Sequence, residues 1–398
     1  MAKIIERHFE NPFPEYSEDS AKNVISNKTI DKLNKVVTGL DEKWETCMRQ
    51  LSQCQSHDYT VYTGTSGIAM LRFLKDPDDK ANLLEVKRLL MLNNLKKKRL
   101  TFLCGDAGPL ALGAVVSYKL GDVVFSRSLI EELAELQKAV INYKADLPNE
   151  YMYGRAGYLY AILYINKHIS PPPIDDYLIR KVVEAIFNAG QVESRNNMCN
   201  QPLLYKWHDS YYLGAAHGMS GIMYLLLQAR NYVRESELND LIKPTIDYLT
   251  SKKFASGNFP SSLGSQSDKY IQWCHGAPGF VFMYSEAYKV FGDQKYLQMA
   301  LKSAEVVWNR GLITKGYSLC HGVSGNAYCF LEMYQTTKDL KHLYRAIKFA
   351  EWCIDYTKEH EEHEPDRPLS LFEGIAGPMY LLVDIQKPMH AKFPGFTL

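Results

Sequence analysis

The chain has 398 residues, of which 46% are hydrophobic and 23% charged, and this composition is typical of a folded globular protein rather than a disordered one. Its 46 Lys and Arg residues nearly balance 45 Asp and Glu residues, so the formal net charge of +1 gives no reason to expect nucleic acid as a partner. No segment approaches the ~18 uncharged apolar residues that span a bilayer, and MAKIIERHFENPFPEY at the N-terminus lacks the apolar run of a signal peptide. We therefore expect a cytoplasmic protein, with reduced cysteines and with any membrane association peripheral rather than inserted.

A short glycine motif repeats along the chain, and each copy precedes an apolar run. Neighbouring copies begin about 40 to 65 residues apart, which is typical of repeat architectures. The seven G-x-x-G copies are YTGTSGIAM at 62–70, CGDAGPLAL at 104–112, YGRAGYLYA at 153–161, AHGMSGIMY at 216–224, CHGAPGFVF at 274–282, CHGVSGNAY at 320–328 and FEGIAGPMY at 372–380.

The segments between the motifs have apolar residues at i, i+3, i+4 and i+7, which predicts amphipathic outer helices. The runs that follow the glycines are apolar on most positions, which predicts buried inner helices. The sequence therefore predicts an all-α fold over residues 1–398: a single α/α toroid, or barrel, of about seven inner and seven outer helices. The outer helices are predicted at 31–51, 81–95, 128–143, 175–187, 236–249, 295–308 and 340–356.

In such a barrel the starts of the inner helices meet at one end, where their backbone N–H groups can bind an anion. Three motifs add reactive side chains there: His217, the Cys274-His275 pair and the Cys320-His321 pair. Two cysteines and one histidine with an open fourth position are typical of catalytic zinc. The spacing leaves open which histidine is the ligand, and whether the cysteines are merely buried core residues.

Other polar and thiol residues within or near the motifs are harder to assign from the sequence. Asp106 and Arg155 each lie inside a motif, so they could form a buried ion pair or contact a substrate. Cys104 and Cys329 are expected to be core residues. The basic run Lys96–Arg99 predicts a solvated helix end.

The motifs WCHGAPG, LCHGVSG and AAHGMSG, with CGDAGPLA, NEYMYGRAGY and SLFEGIAG, resemble the lanthionine synthetase C family and, more closely, its eukaryotic LanC-like branch. The resemblance covers almost the whole chain and implies a single α/α barrel. Residues 1–25 would form an N-terminal extension that packs near the active-site mouth. One zinc ion would be held by Cys274, Cys320 and His321, with water or a substrate thiolate in the fourth position.

The family resemblance also implies a reaction, the conjugate addition of a thiol to dehydroalanine or dehydrobutyrine. Zinc would deprotonate the thiol, and His217, which matches the family's catalytic histidine, would protonate the α-carbon. Glu150 aligns with a catalytic aspartate of the bacterial cyclases. Because His275 and Tyr270 replace a tyrosine and an arginine of those cyclases, we do not expect peptide cyclisation.

The eukaryotic branch implies glutathione as the co-substrate, added to dehydroamino acid residues of proteins or peptides. Arg7 and Lys315 match basic residues that would bind the glutathione carboxylates. A third basic position falls near His363, with Arg367 close by. The resemblance thus implies a zinc-dependent glutathione transferase that acts by conjugate addition.

Two other functions remain open at this point. The chain could be a non-catalytic glutathione- and zinc-binding adaptor or ligand sensor with SH3-type or kinase partners, because FENPFPEY and HISPPPIDDY contain prolines that also suit turns. It could also be a glutathione transferase for small electrophiles, although the sequence has no thioredoxin-like βαβ pattern.

Overall fold

The computed structural model of the chain describes residues 4–18, 35, 38–39, 57–354 and 365–398. Two short antiparallel strands, β1 (Ile4–Ile5) and β2 (His8–Phe9), precede the helices. A π-helical turn, Leu238–Ile242, joins α9 to α10, and short 3-10 turns lie at Leu92–Asn94 and Arg230–Tyr232. The helices are α1 (Thr65–Lys75), α2 (Lys80–Leu89), α3 (Ala107–Lys119), α4 (Val123–Glu135), α5 (Gln137–Val140), α6 (Arg155–His168), α7 (Asp176–Asn196), α8 (Met219–Gln228), α9 (Glu235–Glu237), α10 (Lys243–Thr250), α11 (Ala277–Phe291), α12 (Gln294–Arg310), α13 (Val323–Thr337), α14 (Leu340–Ile354) and α15 (Ala376–Asp384).

The helices form two concentric layers. The inner helices α1, α3, α6, α8, α11, α13 and α15 each begin within a G-x-x-G motif, and most of their residues are buried. Each inner helix contacts the next and α15 contacts α1, so the inner ring closes. The outer helices α2, α4, α7, α10, α12 and α14 pack outside it. The predicted all-α toroid is confirmed. Most of the outer helix expected at 31–51 lies outside the described residues, so the expected number of helices stays a prediction.

The second glycine of each motif is required by a close approach of the backbone. A methyl group added to Gly221 would clash with the backbone oxygen of Ala215, six residues earlier, far inside van der Waals contact. The first glycine of the fifth motif, Gly276, is constrained as well, because it has a φ of 100°, a conformation that L-residues with a side chain rarely adopt. The motif therefore folds each turn tightly under the start of its inner helix.

Backbone hydrogen bonds join neighbouring motif turns at one end of the barrel, which we call the mouth. The residues two positions before the first glycine of each motif form the chain of bonds. The N–H of Cys274 donates to the carbonyl of Cys320 (3.3 Å), Cys320 donates to Phe372 (3.0 Å), Phe372 to Tyr62 (3.2 Å) and Tyr62 to Leu103 (2.9 Å). Equivalent residues of repeats five, six, seven, one and two are thus placed side by side. The residue that follows each of them, directly before the first glycine of its motif, lies at the mouth.

The barrel interior below the mouth is filled by the C-terminal segment of the chain. The ring of Phe396 lies 4.5 Å from that of Tyr224 and 5.2 Å from that of Trp273. Gln228, the last residue of α8, donates to the carbonyl of Phe396 and accepts from the N–H of Leu398. The segment therefore crosses the end of the barrel opposite the mouth and packs an aromatic core between the two ends.

The N-terminal segment 4–18 lies against the outer layer. Tyr344 of α14 donates to the carbonyl of Pro14 (2.8 Å), and Trp308 of α12 donates to the carboxylate of Glu15 (2.8 Å). The N–H of Thr314 donates to the carbonyl of Arg7, so the segment also reaches the loop before the sixth motif. The rest of the expected extension, residues 19–25, lies outside the described residues. None of the helices in the described part of the chain has the length and apolar character to cross a membrane.

We expect Gly221→Ala to lower the free energy of unfolding by about 2–4 kcal/mol, because the added methyl group overlaps the backbone of Ala215 and neither can move freely. Gly113→Ala is the matched control: it also lies within an inner helix, but its added methyl group meets only the ends of three leucine side chains, the nearest at 3.1 Å. We expect that control to change stability by less than about 1 kcal/mol. Urea unfolding followed by circular dichroism measures both, and equal losses would contradict this account of the motif.

Candidate functional site

Three potential metal ligands come together at the mouth. One ligand atom each from Cys274, Cys320 and His321 lies within 4.8 Å of the other two, and we call these residues the metal triad. The two cysteines are buried and the histidine is half-buried. Cys274 and Cys320 are consecutive members of the chain of backbone hydrogen bonds described above, and His321 follows Cys320 directly, so residues far apart in sequence come together.

The chemistry of the triad fits a zinc ion. A hydrogen bond from the Cys320 thiol lowers the pKa of Cys274 well below its usual value, and a hydrogen bond with His321 adds to this. The same bond to Cys274, together with burial, raises the pKa of Cys320. The side-chain amide of Gln272 also donates to the Cys274 sulfur (3.1 Å). Two cysteine sulfurs and an imidazole thus lie together within hydrogen-bond reach, and this is a donor set that zinc prefers.

Two further side chains border the triad and were not predicted from the sequence. The Tyr62 hydroxyl donates a hydrogen bond to the Cys320 sulfur, and burial together with this neighbour raises the pKa of Tyr62. The negative charge of Glu373 also raises the pKa of Tyr62 and that of Cys320. Tyr62 holds the same place in its repeat as Cys320, and Glu373 the same place as His321. An alignment of the seven motifs with one another could therefore have identified both residues from the sequence.

His217 and Glu150 form a hydrogen-bonded pair at the mouth. His217 Nδ1 lies 2.8 Å from a carboxylate oxygen of Glu150, which is 2% exposed. That carboxylate also accepts the backbone N–H groups of Met152 (2.9 Å) and Tyr153 (2.5 Å), so the third motif turn fixes its position. The imidazole remains 21% exposed. Because Glu150 bonds to Nδ1, Nε2 is the nitrogen that can face a ligand.

The face of the His217 ring is held by Trp207. Their ring centroids lie 4.0 Å apart with an angle of 5° between the planes. Trp207 belongs to the loop between α7 and α8, where its backbone forms two hydrogen bonds with Ser210. Glu150 thus fixes the edge of the imidazole and Trp207 its plane. Sequence reasoning missed Trp207 because this loop belongs to no repeated motif.

The His217 pair and the metal triad line the same mouth. The ring of Tyr212 lies 6.1 Å from that of His217 and 5.9 Å from that of His275, the residue directly after Cys274. Burial lowers the pKa of His275, and the positive charges of His217 and Lys315 lower it further. Among the described residues, His275 Nδ1 has no hydrogen-bond partner. His275 is therefore not part of the metal triad but lies between it and His217.

The predicted glutathione-binding cations lie on the same side of the mouth as the triad. The Arg7 guanidinium carbon is 5.1 Å from the centroid of the Tyr270 ring, and that ring lies 5.8 Å from His275. Lys315 follows the residue that bonds to the Arg7 carbonyl, and its charge reaches His275. Arg367 is exposed near the seventh motif. His363, the other position considered for a third cation, lies outside the described residues.

The structure assigns Asp106 and Arg155 to separate hydrogen-bond networks. Arg155 donates to three backbone carbonyls within residues 140–147 and to Asn149, so it fastens the loop before the third motif. Asp106 instead accepts from the Tyr59 hydroxyl (2.5 Å) and the N–H of Lys97 (2.6 Å). The ion pair considered from the sequence is not formed. Cys329 is a core residue as expected, and Cys104 is buried beside Tyr153.

The closed helical toroid with this site at its mouth defines a class of protein, and comparison with known proteins agrees. The family model of the lanthionine synthetase C-like protein matches residues 55–398. The chain therefore belongs to the lanthionine synthetase C-like family.

Individual relatives and a solved structure give the same family and fold. The chain is similar to glutathione S-transferase LANCL1 of Danio rerio, with 40% identity over 405 residues that cover 99% of each chain. It is also similar to LanC-like protein GCL1 of Arabidopsis thaliana, with 34% identity over 86% of this chain and 82% of that one. The structure of nisin cyclase superposes with a TM-score of 0.68 over 95% of this chain and 96% of that one. Its sequence identity is 17%, so it supports the fold alone.

We expect the metal-free chain to bind about one zinc or cobalt ion, and Cys274→Ser, Cys320→Ser and His321→Ala each to weaken binding at least about 100-fold, because each removes one of three ligands. His275→Ala is the matched control, since His275 adjoins the triad without belonging to it. Zinc competition against a chromogenic chelator, and the thiolate-to-cobalt absorption band, measure the effect. Loss of metal in His275→Ala with retention in His321→Ala would contradict the assignment.

Proposed function

We propose that the chain is a zinc-dependent thiol transferase that adds glutathione to dehydroalanine and dehydrobutyrine residues of proteins or peptides. The observation that carries this proposal is the position of the metal triad and the His217–Glu150 pair at one mouth, bridged by the ring of Tyr212. A relative with 40% identity is named a glutathione S-transferase, which supports glutathione as the thiol substrate. Membership of the LanC-like family supports a dehydroamino acid residue as the electrophilic substrate.

The metal triad would bind zinc, which keeps a bound thiol deprotonated at neutral pH. The chain's own residues prepare this place. Gln272 and Tyr62 donate hydrogen bonds to Cys274 and Cys320, which orients the sulfurs and limits their basicity. Burial of both cysteines keeps bulk water away from them.

Arg7 and Lys315 would bind the carboxylates of glutathione. Both cations lie on the triad side of the mouth, Arg7 over Tyr270 and Lys315 near His275. Guanidinium and ammonium groups bind carboxylates through charge-assisted hydrogen bonds. The cysteine sulfur of the tripeptide would then reach towards the buried triad.

His217 would supply the proton that completes the addition. The thiolate forms a bond to the β-carbon, the π electrons of the double bond move to the α-carbon and its carbonyl as an enolate, and His217 Nε2–H protonates the α-carbon. Glu150 stabilises the imidazolium through Nδ1–H before the transfer, and the neutral imidazole that remains takes up a proton from solvent. Trp207 holds the ring plane, so the proton is delivered from a fixed direction.

Mass spectrometry of a dehydroalanine peptide incubated with glutathione and protein tests the proposal. We expect the peptide to gain the mass of one glutathione at a rate proportional to the protein concentration. The rate falls after treatment with a chelator and returns when zinc is added. An equal rate with and without chelator would contradict the zinc mechanism, and binding of both ligands without any adduct would favour a non-catalytic adaptor.

We expect His217→Asn to lower kcat by about 100-fold to 1,000-fold, because general acid catalysis is lost. Glu150→Gln should lower kcat by about 10-fold or more and change the pH profile of kcat, because the imidazolium loses its anionic partner. His208→Asn is the matched control, since His208 is an exposed histidine beside Trp207 whose positive φ asparagine tolerates. Steady-state kinetics and zinc content are measured together, and full kcat in His217→Asn would contradict the assigned role.

A further inference from the structure

Arg99 holds a position in its repeat that other repeats use to line the mouth. In six of the seven repeats the residue six positions before the first glycine accepts a backbone hydrogen bond from the residue that follows that glycine, and in the fifth repeat the N–H of Ala277 donates to Asn258 instead. Arg99 accepts this bond from the N–H of Asp106 (2.9 Å), and Tyr212 accepts the equivalent bond in the fourth repeat (3.0 Å). Tyr270 holds the same place in the fifth repeat. Because both tyrosines border the histidines of the mouth, the register brings Arg99 to the mouth as well.

Asp106 fixes the basic segment that contains Arg99. Its carboxylate accepts the N–H of Lys97 and the hydroxyl of Tyr59, and that hydroxyl accepts the N–H of Lys96 (3.2 Å). The sequence predicted a helix end for residues 96–99, but the segment is an irregular loop in which Lys97 has a φ of 54°. The hydrogen bonds of Asp106 stabilise this loop conformation. The aspartate in the second motif thus has a defined effect, which is to set the position of Arg99.

The Arg99 guanidinium lies over the ring of Tyr153, which is itself a neighbour of the proposed proton donor His217. Its central carbon is 4.8 Å from the centroid of the Tyr153 ring, whose centroid is 6.0 Å from that of the His217 ring at an angle of 12° between the planes. The Tyr153 hydroxyl is anchored by a hydrogen bond to Cys104. Arg99 is exposed, and no carboxylate of the described residues lies within 4.0 Å of its guanidinium. Its N–H donors are therefore available to a ligand.

The order of side chains around the mouth separates two cationic regions. The metal triad belongs to repeats five and six, with Arg7 and Lys315 close by, whereas Arg99 belongs to repeat two. His217, of repeat four, lies between them in the series of ring contacts that runs from Tyr153 to Tyr212. A substrate whose α-carbon reaches His217 while its β-carbon meets the thiol extends, on its other side, towards Arg99.

We propose that Arg99 forms an anion-binding subsite for the electrophilic substrate, so that dehydroamino acid residues with a carboxylate or phosphate group close by in the peptide are preferred. The inference rests on the proposed function and specifies its substrate class. A guanidinium held on an aromatic face presents a planar set of donors that pairs with carboxylate or phosphate. Because the site is exposed, the preference is expected to be modest and to weaken as the salt concentration rises.

Three dehydroalanine peptides that differ at one neighbouring residue, Glu, Gln or phosphoserine, test the subsite. For the wild-type protein we expect kcat/KM to be about threefold to tenfold higher for the Glu and phosphoserine peptides than for the Gln peptide. Arg99→Gln should remove this difference, so that the three peptides react with equal kcat/KM, while Arg99→Lys retains part of it. Lys98→Gln is the matched control, because it removes one charge from an exposed neighbour that contacts no ring of the mouth.

A binding measurement separates failure of this inference from failure of the proposed function. The same peptides with alanine in place of dehydroalanine cannot react, and their equilibrium binding is followed by fluorescence anisotropy. Tighter binding of either anionic peptide to the wild type, lost in Arg99→Gln but not in Lys98→Gln, supports the subsite even if no glutathione adduct is ever formed. Equal kcat/KM and equal binding for the neutral and anionic peptides in the wild type would overturn it.

Discussion

Contact between the backbones of neighbouring G-x-x-G turns is the constraint on which the site depends. Hydrogen bonds join the turns from the fifth repeat through the seventh and first to the second, and the added methyl group of an alanine at Gly214 would strike the carbonyl of Cys274, where repeats four and five meet. No side chain fits between these backbones. Residues separated by a whole helix pair in sequence are therefore held within hydrogen-bond distance at the mouth, and the two cysteines of the metal triad are neighbours for that reason alone.

The same constraint explains how a repeat protein can hold a specialised site. The turn geometry is common to the repeats, so the residue directly before the first glycine always lies at the mouth: Tyr153, His217, His275, His321 and Glu373 all hold this place. Substitution at one such position changes the chemistry of the mouth without changing the barrel. The fold supplies a ring of equivalent positions, and the side chains at these positions determine what can be bound there.

The common turn geometry could be predicted from the sequence more fully than the arrangement of side chains at the mouth. The helices and their closure were predictable because the apolar periodicity and the glycine repeat are both local signals. The grouping of Cys274, Cys320 and His321 required the family resemblance, since the repeat reasoning left the choice of histidine open. The structure separates His275 from the triad by its position, with its Nδ1 facing no partner.

Other parts of the site could not be predicted, for reasons that are physical. Trp207 acts through a face-to-face stack made by an irregular loop, and such a loop has no periodic signal. Asp106 and Arg155 looked like a pair of opposite charges, but Asp106 accepts from the Tyr59 hydroxyl and the N–H of Lys97, whereas Arg155 donates to carbonyls of the loop before its own motif. The formal net charge of +1 also conceals the uneven distribution at the mouth, where Arg7, Lys315 and Arg99 lie on two sides of His217.

The central claim is that the thiol substrate binds at the metal triad, within the same mouth as His217. X-ray absorption at the zinc edge of the zinc-loaded protein, recorded with and without glutathione, tests this claim most directly. The account predicts that the average number of sulfur ligands rises from two, supplied by Cys274 and Cys320, to three when glutathione is added. A ligand shell that stays unchanged at saturating glutathione would contradict it.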